Sequence, residues 1–362
     1  MDQVPLTIFG TAEPRAEEQI RRCSRDALGA VLCADNHVGY SMPIGGAIAY
    51  PGHISPSGVG FDIGCGNKAV RTDRTVAEAF PEGQADVRRF MNRLTDRISF
   101  GMGRPNKEPV EHPVLEKIAE AEFEPQRKLR DTAAKQLGTV GGGNHYVDLF
   151  ADEDGRLWVG VHFGSRGFGH KTASGFLAMA QGGAFTDPAP RESMDAEPTL
   201  FATDSEIGQA YISAMQLAGE YAYAGRDLVT SKVLELLDAK AEVEVHNHHN
   251  FAWKESHGGV EAWVVRKGCT PAFPGQQGFV GGSMGDISVI LEGVDSEASR
   301  RAFYSTVHGA GRVMSRTAAA GKARLRNGRL FYEGGSIDWP TVRRELWERG
   351  IVVKGGAAGS VH

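Results

Sequence analysis

The sequence predicts an α+β protein built as one compact domain, and three features of its patterning carry that expectation. Helical and strand periodicities are mixed without the regular alternation of a parallel α/β fold. No internal repeat is present. Candidate chemical residues also fall on both sides of each irregular stretch, so no boundary separates two self-contained halves. Length alone leaves domain count open, because 362 residues would also fit two domains of roughly 100–200 residues each.

Taken in chain order, residues 84–98 place Val87, Met91, Leu94 and Ile98 on one helical stripe with Asp86 in the first turn, which predicts a helix. Residues 101–113 (GMGRPNKEPVEHP) and 182–205 are dense in Pro, Gly and small polar residues and predict irregular surface. From Ile207 to about Gly225 the set Ile207, Ala210, Tyr211, Ala214, Ala218, Tyr221 and Ala222 follows helical spacing, continued by a second stretch through Leu237. Strands are predicted at 157–163 (LWVGVHF), 243–247 (VEVHN), 261–265 (EAWVV) and 288–293 (SVILEG), each rich in β-branched or aromatic residues.

Composition bounds the function. Forty basic against 45 acidic residues give a net charge of -5, so no global positive field recruits nucleic acid and any such contact must come from a local patch. Hydrophobic residues at 41% and charged residues at 23% are ordinary for a soluble globular chain. No stretch approaches the ~20 apolar residues of a membrane span, and the start lacks a basic region followed by an apolar run, so a cytoplasmic protein is expected. Four cysteines, Cys23, Cys33, Cys65 and Cys269, lie far apart without a CxxC pair, which suits reduced thiols better than a disulfide frame. Glycine is the outlier at 47 residues, nearly twice the usual ~7%. It falls in tight clusters, which implies that backbone approaches something closely.

Five glycine-flanked clusters carry candidate chemistry. In SGVGFDIGCGNK, one turn can aim both Asp62 and Cys65 inward, a mixed hard and soft pair suiting manganese, zinc or cobalt more than magnesium. The bland alternative is a packed cysteine and a turn-capping aspartate. In GTVGGGNHYVD, bare amides precede Asn144 and His145, an arrangement fit for an anion beside a metal. In VGVHFGSRGFG, His162 takes the strand face opposite Val159, Val161 and Phe163, and Arg166 either holds a phosphate or is a surface arginine in a turn. In VEVHNHHNFAWKE, alternation cannot choose a ligand among His246, His248 and His249. In TVHGAGRVMSR, a helix starting at His308 would align Arg312 and Arg316 with it on one face; the alternative is an amphipathic helix with a solvated basic edge. A histidine so placed can act as a nucleophile toward phosphorus. No P-loop, nucleophile elbow, zinc ribbon or dinucleotide fingerprint is present. Jointly the clusters point to metal-assisted phosphoryl or nucleotidyl transfer.

In these motifs the sequence resembles the RtcB family of RNA-splicing ligases, from the DNH-GY-MPIGG region near residue 35 to about residue 354. SGVGFDIGCG, GTVGGGNH, HFGSRG, HHN, GSMG and HGAGRVMSR occur in the family's order. The resemblance implies a single α+β domain of RtcB-like topology, with β-sheets, surrounding helices and a central metal and nucleotide cleft. It implies a GTP- and manganese-dependent ligase that joins RNA 3′-phosphate or 2′,3′-cyclic phosphate ends to 5′-hydroxyl ends through a histidine-GMP intermediate, as in tRNA splicing and RNA repair. By motif, His308 is the nucleophile. Asp62, Cys65, His145, His162 and His249 are metal ligands, with Cys65 bridging two Mn(II) ions, and His246 and His248 are left as supporting or bland residues. Asn144, Tyr146, Val147, Asp148, Asn250, Gly281, Gly282, Ser283, Met284, Ser288, Gly309, Ala310 and Gly311 fall at nucleotide-contacting positions. Arg166, Arg312 and Arg316 would hold phosphates of GTP or RNA.

Two departures accompany the resemblance. Asp148 stands where the family usually has Glu. The run RGIVVKGGAAGSVH resembles the lead-in to the family's DEAP-x-AYK segment, without the guanine-packing tyrosine or a clean match for the terminal lysine. The expectation is a single domain over 1–362, truncated at its C-terminus, that keeps its metal site. Two alternatives follow for its activity: a metal-dependent RNA-end phosphoesterase, or a ligase-inactive protein that binds RNA ends.

Overall fold

The computed structural model describes residues 4–189, 193–311, 314, 316–326 and 329–355. Two sheets organise the described chain. The first has five strands in the order Leu6–Ile8, Gly29–His37, Ile44–Tyr50, Val260–Lys267 and Asn250–His257, antiparallel throughout except for the first pair. The second is antiparallel, in the order Tyr146–Ala151, Arg156–Phe163, Gly66–Thr75 and Ala241–His248. Strand Ala241–His248 closes one sheet and Asn250–His257 opens the other, so His249 stands at the single-residue junction between them.

One helix, Glu206–Leu237, serves both sheets. Ser205 caps its start by accepting from the Gly208 amide at 3.1 Å, and Asp238 ends it in the left-handed region with φ 49°. Its Tyr211, Ala214, Met215, Ala218 and Tyr221 pack in one core with Leu32, Ile48, Tyr50 and Val265 of the five-stranded sheet. Its Val229, Val233 and Leu237 pack in a second core with Leu157, Val159, Val161 and Phe163 of the four-stranded sheet. Each fully buried Val, Leu, Ile, Phe or Met side chain among these contributes about 1.5–3 kcal/mol of burial free energy. Small residues every third or fourth position let a 32-residue helix lie close to both layers.

The predicted helix at 84–98 is present as Gln84–Arg97, with Phe90 and Leu94 buried and Ile98 just past its end. All four predicted strands form, three of them longer than read and the fourth confined to Val289–Glu292. The strands Gly29–His37, Ile44–Tyr50 and Gly66–Thr75 escaped prediction because glycine and charged residues break their alternation. Residues 101–112 carry no helix or strand, and 182–205 hold only the two-residue strand Phe201–Ala202 among the described residues. All four cysteines are free and buried. No described helix is long and apolar enough to cross a membrane.

A buried ion cluster fixes the approach to the site. Arg266 is fully buried, and its guanidinium donates to both Glu255 oxygens (2.5 and 3.1 Å), to Ser305 Oγ (2.9 Å) and to the Phe303 carbonyl (2.7 Å). It thereby ties the first sheet to the segment that runs into residue 308. Burial pushes the Glu255 carboxyl up, but Arg266 and a 2.8 Å hydrogen bond with His257 outweigh this and hold its pKa below the ordinary value. A depressed carboxylate stabilises the fold above its unfolded pKa of ~4.3 and loses that contribution as pH falls through the folded value. Glu255→Gln is expected to cost about 3–5 kcal/mol at pH 7, because it strands a buried guanidinium. Urea unfolding at pH 7 and pH 4 checks both statements, with a smaller loss between the two pH values in the variant.

Candidate active site

Four separated segments converge where the two sheets meet. The 62–65 turn is closed by the Cys65 amide donating to the Asp62 carbonyl at 3.0 Å. The Cys65 carbonyl accepts from the His249 and Asn250 amides at 2.8 and 3.2 Å, so the turn is pinned to the junction between sheets. Gly164 has no room for a Cβ, which would run into the Asp62 carboxylate. His162, next to last in its strand, faces away from the Val159, Val161 and Phe163 core, as alternation predicts.

The donor atoms lie close together. Cys65 Sγ is 3.3 Å from His162 Nε2 and 3.8 Å from His145 Nε2, and one donor atom from each of the three residues falls within 4.8 Å of the others. His145 Nε2 is 3.0 Å from Asp62 Oδ2. The rings of His162 and His249 are 5.0 Å apart, and those of His249 and His308 are 4.8 Å apart.

Electrostatics favour a cation in this cluster. Burial holds the His162 and His249 imidazoles well below their ordinary pKa, so both present neutral lone pairs. Burial also opposes ionisation of Asp62, but the His145 imidazole beside it and Arg166 outweigh that and hold its carboxyl well below the usual range. Burial and the neighbouring Asp62 push the Cys65 thiol up. The Cys65 thiol and the His145 and His162 imidazoles, with the Asp62 carboxylate against His145 and the His249 ring beside His162, form a donor set for a first-row divalent metal, whose charge would draw the proton from the thiol.

Beside this cluster stands His308, at the end of the Ser305–Val307 strand. Its Nδ1 is 2.6 Å from Asp35 Oδ2, which also accepts from the amides of His308 at 3.0 Å and Gly309 at 3.4 Å. Burial disfavours the Asp35 carboxylate, yet these bonds lower its pKa below the ordinary value. An ionised carboxylate at Nδ1 keeps the ring proton there and leaves Nε2 as the free lone pair.

A helix from His308 does not form. Gly309 instead bridges Gly281 as an isolated β-pair, and Gly311 adopts φ 73°, outside helical geometry. The helix begins only at Arg316 and runs to Ala320, so the expected alignment of His308, Arg312 and Arg316 on one helical face is corrected. Arg312 and the side chain of Arg316 lie outside the described residues.

The residue 23–333 stretch matches the family model described as tRNA-splicing ligase RtcB. The chain belongs to the RtcB family. It is 36% identical to the RNA-splicing ligase RtcB of Escherichia coli (strain K12), over 79% of this chain and 74% of that relative. It is 30% identical to the tRNA-splicing ligase RtcB of Thermococcus kodakarensis and 29% identical to that of Archaeoglobus fulgidus, in each case over 90% of this chain and 78% of the relative.

Most of the RtcB motif residues named from sequence come together. Tyr146 pairs with His162 across the sheet, and its buried hydroxyl, without a hydrogen bond among the described residues, lies against Gly281. Asn144 Nδ2 is 3.4 Å from His162 Nε2. Asp148 is exposed, and desolvation by the surrounding protein pushes its pKa up to about 6. In the 281–288 turn, Ser288 Oγ accepts from the Gly282 amide at 2.9 Å, Ser283 is buried, and Met284 is half-buried. Ala310 is exposed beside Gly309. Asn250 Oδ1 accepts from the Gly268 amide at 2.7 Å, bracing a turn that packs against the His308 ring.

Two named residues also make contacts of their own in the fold. Val147 is partly buried and packs its side chain against the second core. Arg166 has φ 54° and places NH1 2.8 Å from His145 Nδ1, which makes it a brace for His145.

Two further residues beside this cluster carried no role in the sequence. Asp35 sits in the DNH motif, but only the fold reveals its partner 273 positions away. Arg226 is fully buried and donates to the carbonyls of Gly64 (2.9 Å) and Phe163 (2.6 Å) and to His246 Nε2 (2.8 Å), with His248 Nδ1 at 3.0 Å. It locks the segments bearing Cys65, His162 and His249 together. His246 and His248 are thus supports of Arg226, and burial holds both their pKa values low.

Proposed function

We propose that this protein is an RNA ligase that uses GTP and manganese to join RNA 3′-phosphate or 2′,3′-cyclic phosphate ends to 5′-hydroxyl ends. The observation that carries the reading is the His308 imidazole, held by Asp35 at Nδ1, with no hydrogen bond on its other nitrogen among the described residues, beside a cluster of side chains that could hold a metal. Asp62, Cys65, His145, His162 and His249 would hold the Mn(II). The bound metal supplies neutralisation of triphosphate charge.

His308 Nε2 attacks the α-phosphorus of GTP, forming the P–N bond of histidine-GMP as pyrophosphate leaves. Asp35 stabilises the positive charge that develops on the ring. GMP then passes to an oxygen of the RNA 3′-phosphate, freeing His308. The 5′-hydroxyl of the second strand attacks that phosphorus and expels GMP, and a cyclic end is first hydrolysed to the 3′-phosphate. Amides of Gly281, Gly282, Gly309 and Gly311 and the side chains of Asn144, Asn250 and Ser283 line the nucleotide's place, and Arg166, Arg312 and Arg316 are the guanidinium groups near phosphate.

The test incubates the protein with GTP, manganese, one RNA strand ending in a 2′,3′-cyclic phosphate and one beginning with a 5′-hydroxyl. Joined RNA is expected. A 3′-phosphate product without joining would support the phosphoesterase reading instead, and RNA binding with neither product would support the end-binding reading.

A further inference from the structure

Away from the metal cluster, the helix Gln84–Arg97 and the helix Trp339–Glu348 with its following residues enclose a groove of about 670 Å³. Helical spacing creates its charge. Arg343, Arg344 and Trp347 fall on one face of the later helix and Arg88 and Met91 on one face of the earlier, with Lys354 closing the end. No acidic side chain among the described residues lines it. Arg88, Arg343 and Arg344 make no ion pair with a described residue. Four cations gathered without a counter-charge in a chain of net charge -5 are an electrostatic cost, and the arrangement is relieved by a polyanion.

The groove is braced and chemically mixed. Gln84 donates to the Trp347 carbonyl at 2.7 Å, and Lys354 Nζ donates to Asn92 and Thr95 at 2.7 and 2.8 Å. The Arg88 guanidinium stacks over the exposed Trp347 ring at 4.5 Å, which leaves a flat cationic surface of the kind on which nucleobases stack. The later helix also touches the 281–288 turn. Arg349, at the end of the same helix, donates to the Gly285 carbonyl, next to the Gly281–Met284 turn.

We infer that this groove is a docking surface for single-stranded RNA, holding the strand's backbone phosphates on Arg343 and Arg344 and a base on the Arg88–Trp347 stack while the strand's end lies in the catalytic recess. The inference rests on the RNA-ligase reading and deepens it by placing the body of the substrate.

Two measurements test it. RNA carrying 4-thiouridine and a 2′,3′-cyclic phosphate is photo-crosslinked to the intact parent protein, and the modified peptides are mapped. Crosslinks to the segments holding Arg88 or 343–354 are expected; crosslinks confined to other surfaces overturn the inference. Anisotropy of the same RNA is then followed against salt for the parent, Arg343→Ala/Arg344→Ala and Arg343→Lys/Arg344→Lys. The alanine pair is expected to weaken binding about tenfold at 0.1 M salt and to make the slope of log affinity against log salt shallower by about 1.4, with the lysine pair restoring most of both. Equal affinity and slope in all three proteins would also overturn it. Absence of RNA joining with these binding effects intact would count against the ligase reading and leave the groove standing; joining with parental binding in the alanine pair would do the reverse.

Discussion

Cys65→Ala is expected to lower metal affinity by more than ~100-fold and to remove RNA joining with it. The loss exceeds that for supporting residues around metal ligands, typically 10–100-fold, because Cys65 Sγ lies within reach of both His145 and His162 and is the one polarisable donor in the cluster. Titration calorimetry with Mn(II) measures it directly. Thermal melting gives a second readout: at a metal concentration of ~100 Kd the parent gains about 2.7 kcal/mol, and the variant gains far less at the same concentration. The sign of the pH dependence follows from the raised Cys65 thiol. The proton is on sulfur in the metal-free site and must leave when metal binds, so affinity falls as pH is lowered and protons are released on binding. Calorimetry in buffers of different ionisation enthalpy reads that release.

Asp35→Ala is expected to slow covalent transfer of GMP to the protein by about 10²–10⁴-fold while leaving Mn(II) affinity within about twofold of the parent. The carboxylate is no metal donor in this arrangement; it fixes the tautomer of His308 and caps the His308 and Gly309 amides. Removing it frees the ring to carry its proton on Nε2 and strands two backbone donors, which adds about 1–3 kcal/mol of destabilisation. Asp35→Asn retains an acceptor without the charge and is expected to fall between the parent and the alanine variant. Single-turnover labelling at saturating metal separates the effect from metal loss. Equal rates in all three proteins would remove Asp35 from the chemistry.

The parts of this molecule that sequence exposes are those governed by local period. Apolar spacing along 207–237 predicts the long helix, and alternation in 157–163 correctly sends His162 away from the Val159 and Val161 core. Glycine clusters mark where backbone must approach closely, as Gly164 does against Asp62. What stays hidden depends on partners distant in the chain. Arg226 occupies the apolar side of a helix, where an arginine reads as an anomaly, and its acceptors are carbonyls of Gly64 and Phe163. Asp35 falls in a strand whose pattern carries no sign of His308. The expectation of a helix at His308 fails for a physical reason: histidine and arginine spacing suggested one, but Gly309 pairs with Gly281 as strand and Gly311 turns the chain left-handed.

The central claim is that His308 takes up GMP. Incubation with GTP labelled at the α-phosphate and Mn(II), followed by denaturing electrophoresis and mild acid treatment, tests it with His308→Ala alongside the parent. The account predicts label on the parent chain that acid removes, as a phosphoramidate requires, and no label on the variant. A parent that binds Mn(II) yet takes up no label, or a variant labelled as strongly as the parent, would contradict it.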